Sequence, residues 1–185
     1  MVGGLSPFFN SVMQLKSVRR AGWVSKVKVK DAESVADHTF SMCAMAMLLS
    51  DMLGLDTQKA MKMAILHDLA ESIVGDHMPG DVTAGQKLAQ EKKAMESILS
   101  GLPRKTRAEY EKIWLEFLQN KTDVAKFVHR IDKLEMALQA SQYARQGYSA
   151  RFLAPFFESA KTAVGDEGDV VSEILNSLRQ TSTKK

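Results

Sequence analysis

The stretch AILHDLAESIVGD, residues 64–76, combines the apolar spacing of a buried helix with four ionisable side chains. At 100° per residue, Ala64, His67 and Glu71 fall on one line along such a helix, and Asp68 falls on the adjacent line. Apolar residues occupy the remaining sides, so we predict that this helix is buried nearly all round. Because an unpaired charge is costly in apolar surroundings, acids beside a histidine in such a helix indicate a bound cation.

Helical spacing of apolar residues continues along almost the whole chain, and strict alternation appears only in VSKVKVKD, residues 24–31. We therefore predict an all-α fold, a single bundle of about seven or eight helices. The 185 residues can form one substantial core but not two, which predicts one domain over residues 1–185. The predicted helices span residues 8–18, 35–53, 57–74, 83–100, 104–119, 122–146, 150–163 and 169–179, and residues 180–185 form a frayed tail.

Short polar side chains indicate where several helices begin. Ser34, followed three residues later by Asp37, resembles a capping box. Thr57, Thr83 and Thr122 stand where a side-chain oxygen can accept hydrogen bonds from free backbone N–H groups of the helices that follow. We predict that these residues are N-caps.

Two stretches between helices are predicted to be loops. Residues 19–33 carry five basic side chains before the first acid, and residues 75–82, GDHMPGDV, contain two glycines and a proline. Either loop could lie over a functional site. For residues 19–33, a solvated basic loop is the alternative.

Composition narrows the class of protein. Hydrophobic residues make up 45% and charged residues 25% of the chain, close to globular averages. The net charge of +3 is only mildly basic, so we expect no DNA or RNA duplex as partner, whereas a small phosphorylated ligand is compatible. No apolar run reaches the roughly 18 residues of a membrane span, and no export pattern is present, which predicts a cytoplasmic protein with no membrane partner.

Further ligands for the cation are expected on apolar stripes of other helices. His38 lies on the line of Val35 and Met42, and Asp132 lies on the stripe of FVHRIDKLEMAL. Taken alone, such a residue is more often a hydrogen-bonded core histidine, or an Asp that caps a helix or pairs with Lys. The adjacent pair HD with two matching partners favours a ligand set. The predicted metal ligands are His38, His67, Asp68 and Asp132.

Two imidazoles and two carboxylates leave open coordination positions on a divalent ion, as catalytic metal sites do. This mixed nitrogen and oxygen set suits Mn²⁺, Co²⁺, Zn²⁺, Fe²⁺ or Ni²⁺. His77 and His129 do not lie on apolar stripes, so ligands for a second ion are lacking and we predict one ion. A divalent ion activates water and polarises a phosphoryl oxygen, which predicts hydrolysis.

Proton transfer in such a reaction is left to a side chain near the ion. Glu71, one helical turn after His67, is placed for that role. Its alternative role is to orient a ligand imidazole. Asp76 could serve in either task.

Four motifs together identify a family. ESVADH (33–38), LHDLAESIVGD (66–76) and KFVHRIDKLEM (126–136) resemble the motifs of HD-domain metal-dependent phosphohydrolases. LKSVRRAGWV (15–24) makes the chain similar to the 5'-deoxynucleotidase branch of that superfamily. The resemblance extends over about residues 8–146, which it marks as the catalytic core, and implies an all-helical, typically homodimeric enzyme that is active with cobalt or manganese.

The resemblance also implies roles for single residues. Glu71 takes part in proton transfer, Asp76 holds the substrate or the attacking water, and Arg20 and Trp23 contact the nucleotide. A guanidinium fork also matches a phosphate bidentately, whereas core packing is the alternative role of Trp23. Two residues, AG, separate Arg20 from Trp23 here, whereas bacterial deoxynucleotidases have Arg directly followed by Trp. The ligands implied for the metal are His38, His67, Asp68 and Asp132.

The predicted function is hydrolysis of (deoxy)nucleoside 5'-monophosphates to nucleoside and phosphate by a metal-dependent phosphomonoesterase. One alternative is an HD hydrolase of a signalling polyphosphate nucleotide, and another is a non-catalytic, metal-dependent nucleotide-binding module. The inward carboxylate of Glu71 together with the basic Arg20 favours catalysis over a module. A helical adaptor is disfavoured because it would not require buried charges.

Overall fold

The computed structural model describes residues 2–78, 80–166 and 168–182. The predicted all-α fold is confirmed. Within the described residues the helices are α1 (Ser6–Gln14), α2 (Val35–Leu53), α3 (Thr57–Leu66), α4 (Glu71–Val74), α5 (Ala84–Leu99), α6 (Arg104–Gln119), α7 (Asp123–Arg145), α8 (Ala150–Val164) and α9 (Val170–Ser182). Short 3₁₀ turns lie on either side of α1, at Val2–Leu5 and Leu15–Ser17. Over the described residues, no helix combines the length and hydropathy that crossing a membrane requires.

Helix α7 is the centre of the bundle and packs against α2, α3, α6, α8 and α9. It begins at the N-cap Thr122, whose hydroxyl accepts from the backbone N–H of Ala125. Val128, Ile131 and Leu134 follow at helical spacing and are fully buried. Because Asp132 lies within this run, the packing of α7 carries a carboxylate into the interior of the protein.

Helix α2 begins at the predicted capping box. The Ser34 hydroxyl accepts from the Asp37 N–H, and the Asp37 carboxylate accepts from the Ser34 N–H, which confirms the prediction. Thr83 is likewise confirmed as the cap of α5. The prediction for Thr57 was wrong by one residue, because Asp56 is extended and its carboxylate accepts from the Lys59 N–H.

The single helix predicted over 57–74 was wrong. Helix α3 ends at Leu66, turns occupy residues 67–70, and α4 begins at Glu71. Through the turns the backbone hydrogen bonds tighten to the third preceding residue, as in the bond from the Glu71 N–H to the Asp68 carbonyl, 3.0 Å. The break rotates His67 and Asp68 relative to Glu71, so their directions differ from those of a regular α-helix.

The prediction that residues 19–33 lack helix was wrong in part. A π-helical turn, Trp23–Val27, lies within this stretch, and its first and last residues are buried. The predicted loop at 75–82 contains no helix among its described residues, and residue 79 lies outside them. Helix α9 continues to Ser182, beyond the predicted end at 179 and into the predicted tail; residues 183–185 of that tail lie outside the described residues.

The last two helices are tied to α7 by a side chain. The Arg130 guanidinium donates to both carboxylate oxygens of Asp169, at 2.6 and 2.8 Å, and its Nε donates to the Val164 carbonyl at 2.9 Å. Helix α8 also contacts the Trp23–Val27 turn. These contacts hold α8 beside the functional site.

Candidate active site

Two buried imidazoles lie close together, His38 on α2 and His67 at the end of α3, with ring centroids 5.6 Å apart. The Nδ1 of His38 is 2.6 Å from Glu135 Oε2, and the Nδ1 of His67 donates to the Ala64 carbonyl at 2.7 Å. With Nδ1 engaged in both rings, Nε2 is the free nitrogen. Both Nε2 atoms are buried and lack a hydrogen-bond partner among the described residues.

Carboxylates of two further predicted ligands lie beside these nitrogens. Asp68 Oδ2 is 3.0 Å from His67 Nε2 and 3.8 Å from His38 Nε2, and Asp132 Oδ1 is 3.4 Å from His38 Nε2. Donor atoms of His38, His67 and Asp132 all lie within 4.8 Å of one another. The structure therefore brings the four predicted ligands together from α2, the turn after α3, and α7.

This donor set fits a divalent metal ion. Burial and the charge of Arg20 lower the pKa of His38, but the nearby carboxylates of Asp132 and Glu135 outweigh them and raise it to about 9. Without a metal, the pocket thus favours a positive charge on His38 between two acids. Two unpartnered imidazole nitrogens beside two carboxylates match the ligands that such an ion takes in catalytic sites.

Glu135 is a site residue that the sequence analysis missed. It is 3% exposed and lies on α7 one turn after Asp132. A carboxylate that accepts from Nδ1 of a ligand histidine fixes the tautomer and the ring orientation. The sequence contains a signal for Glu135, because this acid lies on the same apolar stripe that indicated Asp132 as a ligand.

Glu71 lies in the first turn of α4 and is 3% exposed. Its Oε2 is buried and has no hydrogen-bond partner among the described residues. Burial, together with the charges of Asp68 and Asp76, raises the pKa of Glu71 to about 10. A carboxyl group in this state holds its proton at neutral pH.

Arg20 and Asp76 join two segments over the site. Arg20 donates to Asp68 Oδ2 at 3.3 Å, and Asp76 Oδ2 accepts from the Ala21 N–H at 2.7 Å. Burial lowers the pKa of Arg20, but the charges of Asp68 and Asp76 raise it more, so the guanidinium stays charged. The loop after α4 is thereby fastened to the segment that carries Arg20.

Trp23 is 2% exposed and packs among other side chains. Its ring stacks on Phe156 with centroids 4.0 Å apart, meets Tyr143 edge-on at 5.2 Å, and donates from Nε1 to Glu33 at 2.7 Å. Burial, followed by the charge of Glu135, raises the pKa of Glu33 to about 7, although this hydrogen bond opposes the rise. The geometry matches the core-packing role of Trp23, and its contact with a nucleotide stays a prediction.

A cavity of about 420 Å³ opens over these residues, a size typical of ligand pockets, which span roughly 300–1,000 Å³. Its floor consists of His67, Asp68, Glu71 and Asp132. Its rim consists of residues 20–26, the loop after α4 and part of α8, and contributes Arg20, Gly22, Trp23, Lys26, Asp76, His77, Met78, Pro155, Phe156 and Ser159. The fully buried His38 contacts the floor from α2. The four predicted metal ligands therefore belong to one site, which also contains Glu71, Asp76, Arg20 and Trp23.

His77 and His129 also line the cavity but stand outside the donor group. The His129 ring stacks on Phe117 with centroids 4.0 Å apart, and its Nε2 lies 2.9 Å from the Phe117 carbonyl. The structure thus keeps both residues apart from the predicted ligand set.

The chain is similar to other proteins over most of its length. The family model of the HD domain matches residues 12–170. The chain is 39% identical over 157 residues to 5'-deoxynucleotidase HDDC2 of Mus musculus, covering 84% of this chain and 78% of that protein. It is 32% identical over 165 residues to 5'-deoxynucleotidase YGK1 of Saccharomyces cerevisiae, covering 86% and 76%.

A solved structure is also similar along the whole fold. The PH0347 protein of Pyrococcus horikoshii OT3 has a TM-score of 0.71 at 32% identity, covering 97% of this chain and 99% of that one. The similarity therefore continues past residue 146 and includes α8.

Proposed function

The chain belongs to the HD-domain family, and from that premise we propose that it is a metal-dependent phosphomonoesterase that hydrolyses deoxynucleoside 5'-monophosphates to nucleoside and phosphate. The observation that carries the proposal is the pair of buried, unpartnered imidazole nitrogens beside two carboxylates under a cavity. The relatives named 5'-deoxynucleotidase support the substrate class.

His38, His67, Asp68 and Asp132 would hold one divalent transition-metal ion, with Mn²⁺, Co²⁺, Zn²⁺, Fe²⁺ and Ni²⁺ as candidates. When bound, such an ion would supply water activation and charge neutralisation at the phosphoryl group. Glu135 and the Ala64 carbonyl accept from the Nδ1 atoms of the two histidines. Each ring therefore presents the lone pair of Nε2.

Other residues of the cavity bind the phosphate and move the proton. Arg20 keeps its charge in the pocket and offers a planar fork of donors to phosphate oxygens. Glu71 lies in the floor beside Asp68, and its carboxyl group can donate a proton to the 5'-oxygen as the bond to phosphorus breaks. Asp76 accepts from the Ala21 N–H, which keeps the Arg20 segment beside the substrate.

A phosphate-release screen tests this function. Purified protein is stripped with a chelator and incubated with each deoxynucleoside and ribonucleoside 5'-monophosphate, with and without each candidate metal. We expect orthophosphate from the deoxynucleotides only when metal is restored. Release of pyrophosphate from polyphosphate nucleotides instead, or tight nucleotide binding without turnover under every metal, would contradict the proposal.

We also propose a homodimer, supported by an exposed apolar face on α2. Phe40, Met47, Leu48 and Met52 are 76%, 46%, 58% and 60% exposed and recur on one side of this helix. Sedimentation should give about twice the chain mass of 20.5 kDa. The variant F40E/L48E should sediment as a monomer, and L88E, at an exposed position on α5, should not. The cytoplasmic location stays a prediction.

A further inference from the structure

The lining of the cavity falls into two chemical classes. The floor and Arg20 are charged, whereas Met136, Pro155 and Phe156 form an apolar wall. A nucleoside monophosphate has a matching division, a charged phosphate and a flat base whose faces stack on aromatic side chains. We propose that Phe156, on α8, is a specificity-determining residue on which the base of the nucleotide packs. This inference rests on the proposed function and assigns a role to a helix that lies outside the resembling motifs.

Trp23 is the other aromatic residue that could contact the base, but neighbouring side chains cover most of its surface. The Phe156 ring covers one side, the Tyr143 ring meets it edge-on, and Glu33 accepts from its Nε1. At 2% exposure, little of the indole surface is left for a base. Phe156 is only partly buried and lines the cavity, so its ring offers a ligand more surface than that of Trp23 does.

Gly22 explains how Phe156 comes so close to the segment that carries Arg20. A Cβ on Gly22 would lie 3.2 Å from Cε1 and 3.4 Å from Cζ of the Phe156 ring. The backbone of Gly22 is helical, with φ of −59°, so its requirement is for space and not for conformation. Gly22 thus leaves room for the Phe156 ring close to the segment that carries Arg20.

The chain offers a matched control for Phe156. Phe152 lies one turn earlier on α8, is 49% exposed, and is absent from the cavity lining. Replacing either ring by alanine removes the same group from the same helix. Only F156A should affect recognition of the base.

Substrates with and without a base separate recognition from chemistry. A deoxynucleoside 5'-monophosphate is compared with 2-deoxyribose 5-phosphate, which has the same phosphate and sugar but no base. F156A should raise KM for the nucleotide roughly tenfold more than it raises KM for the sugar phosphate. F152A should change neither, and F156L should fall between F156A and the unaltered protein.

Equilibrium dialysis of the nucleotide in the same metal buffer distinguishes the possible failures. If the unaltered protein binds the nucleotide more tightly than F156A but releases no phosphate, the proposed function is wrong and the role of Phe156 stands. The inference about Phe156 is overturned if F156A and F156L act on the nucleotide as the unaltered protein does. It is also overturned if both substrates lose equally in F156L while its melting temperature is unchanged.

Discussion

Two of the four predicted ligands stand on helices that form the core, whereas the rim of the cavity is assembled from short segments joined by single contacts. His38 and Asp132 project from α2 and α7, whose backbones are fixed by regular hydrogen bonds and packing on one another. The rim depends on contacts such as the one from the Ala21 N–H to Asp76 and the stack of Trp23 on Phe156. We therefore expect changes in the floor to alter metal binding and kcat, and changes in the rim to alter KM.

The largest effect is expected from Asp68→Ala in the floor. The variant removes a carboxylate that contacts both histidines and leaves the buried Arg20 without this partner. Phosphate release should fall by roughly a thousandfold or more, and bound metal should fall with it. The measurements are phosphate release and metal content after dialysis. Normal turnover in this variant, with the exposed Asp31→Ala as control, would refute the assignment.

Glu71→Gln separates proton transfer from metal binding within the floor. The amide keeps the size of the side chain but cannot carry the proton. We expect kcat to fall by roughly a hundredfold to ten-thousandfold while metal affinity stays the same. Titration calorimetry with the metal and steady-state kinetics measure the two quantities. A large loss of metal affinity would instead assign Glu71 the alternative role of orienting a ligand.

Glu135→Gln tests whether the contact of Glu135 with His38 Nδ1 strengthens metal binding. The charge that accepts from His38 Nδ1 is removed, so the metal affinity should fall roughly tenfold to a hundredfold. Glu116→Gln is the matched control, because Glu116 pairs with Lys59 on α3 at a distance of 2.7 Å and is not part of the donor group. Equal affinities for the two variants would show that Glu135 does not act through His38.

The smallest effect is expected at the contact between Arg130 of α7 and Asp169, the residue just before α9. Hydrogen bonds from Arg130 lower the pKa of Asp169 to about 2, below its ordinary value of about 4. Because the pKa is depressed in the folded protein, the stabilisation is present above pH of about 4 and is lost as the pH falls toward 2.

Asp169→Asn keeps a side-chain oxygen for the Ser172 N–H but removes the charge. Thermal unfolding at neutral pH should show a melting temperature lower by roughly 2–4 °C. The difference should vanish as the pH falls through this window. Asp166→Asn, an exposed neighbour, should leave the melting temperature unchanged, and a difference for Asp169→Asn that persists at low pH would contradict the account.

The sequence predicted the floor better than the rim for a physical reason. An ionisable side chain on an apolar stripe is visible in a single helix, so His38 and Asp132 could be found without knowing the packing. The break at 67–70 could not be foreseen, because its tightened backbone bonds occur without a glycine or proline. Glu135 was missed although it satisfied the same criterion as Asp132.

The rim depends on contacts between distant parts of the chain, which spacing alone does not reveal. The π-helical turn Trp23–Val27 is too short for a periodic signal, and the burial of Trp23 is completed by Phe156 from α8. The resemblance indicated Arg20 and Asp76, but their connection through Ala21 is a property of the folded chain.

Direct titration of the metal-free protein tests the central claim, that four side chains from distant segments hold one cation. Calorimetry with Mn²⁺ or Co²⁺ on chelator-treated protein should give one ion per chain, and the double variant H38A/H67A, if folded by circular dichroism, should give none. A folded, unaltered chain that binds no transition metal, or a double variant that binds as well as the unaltered protein, would contradict the account.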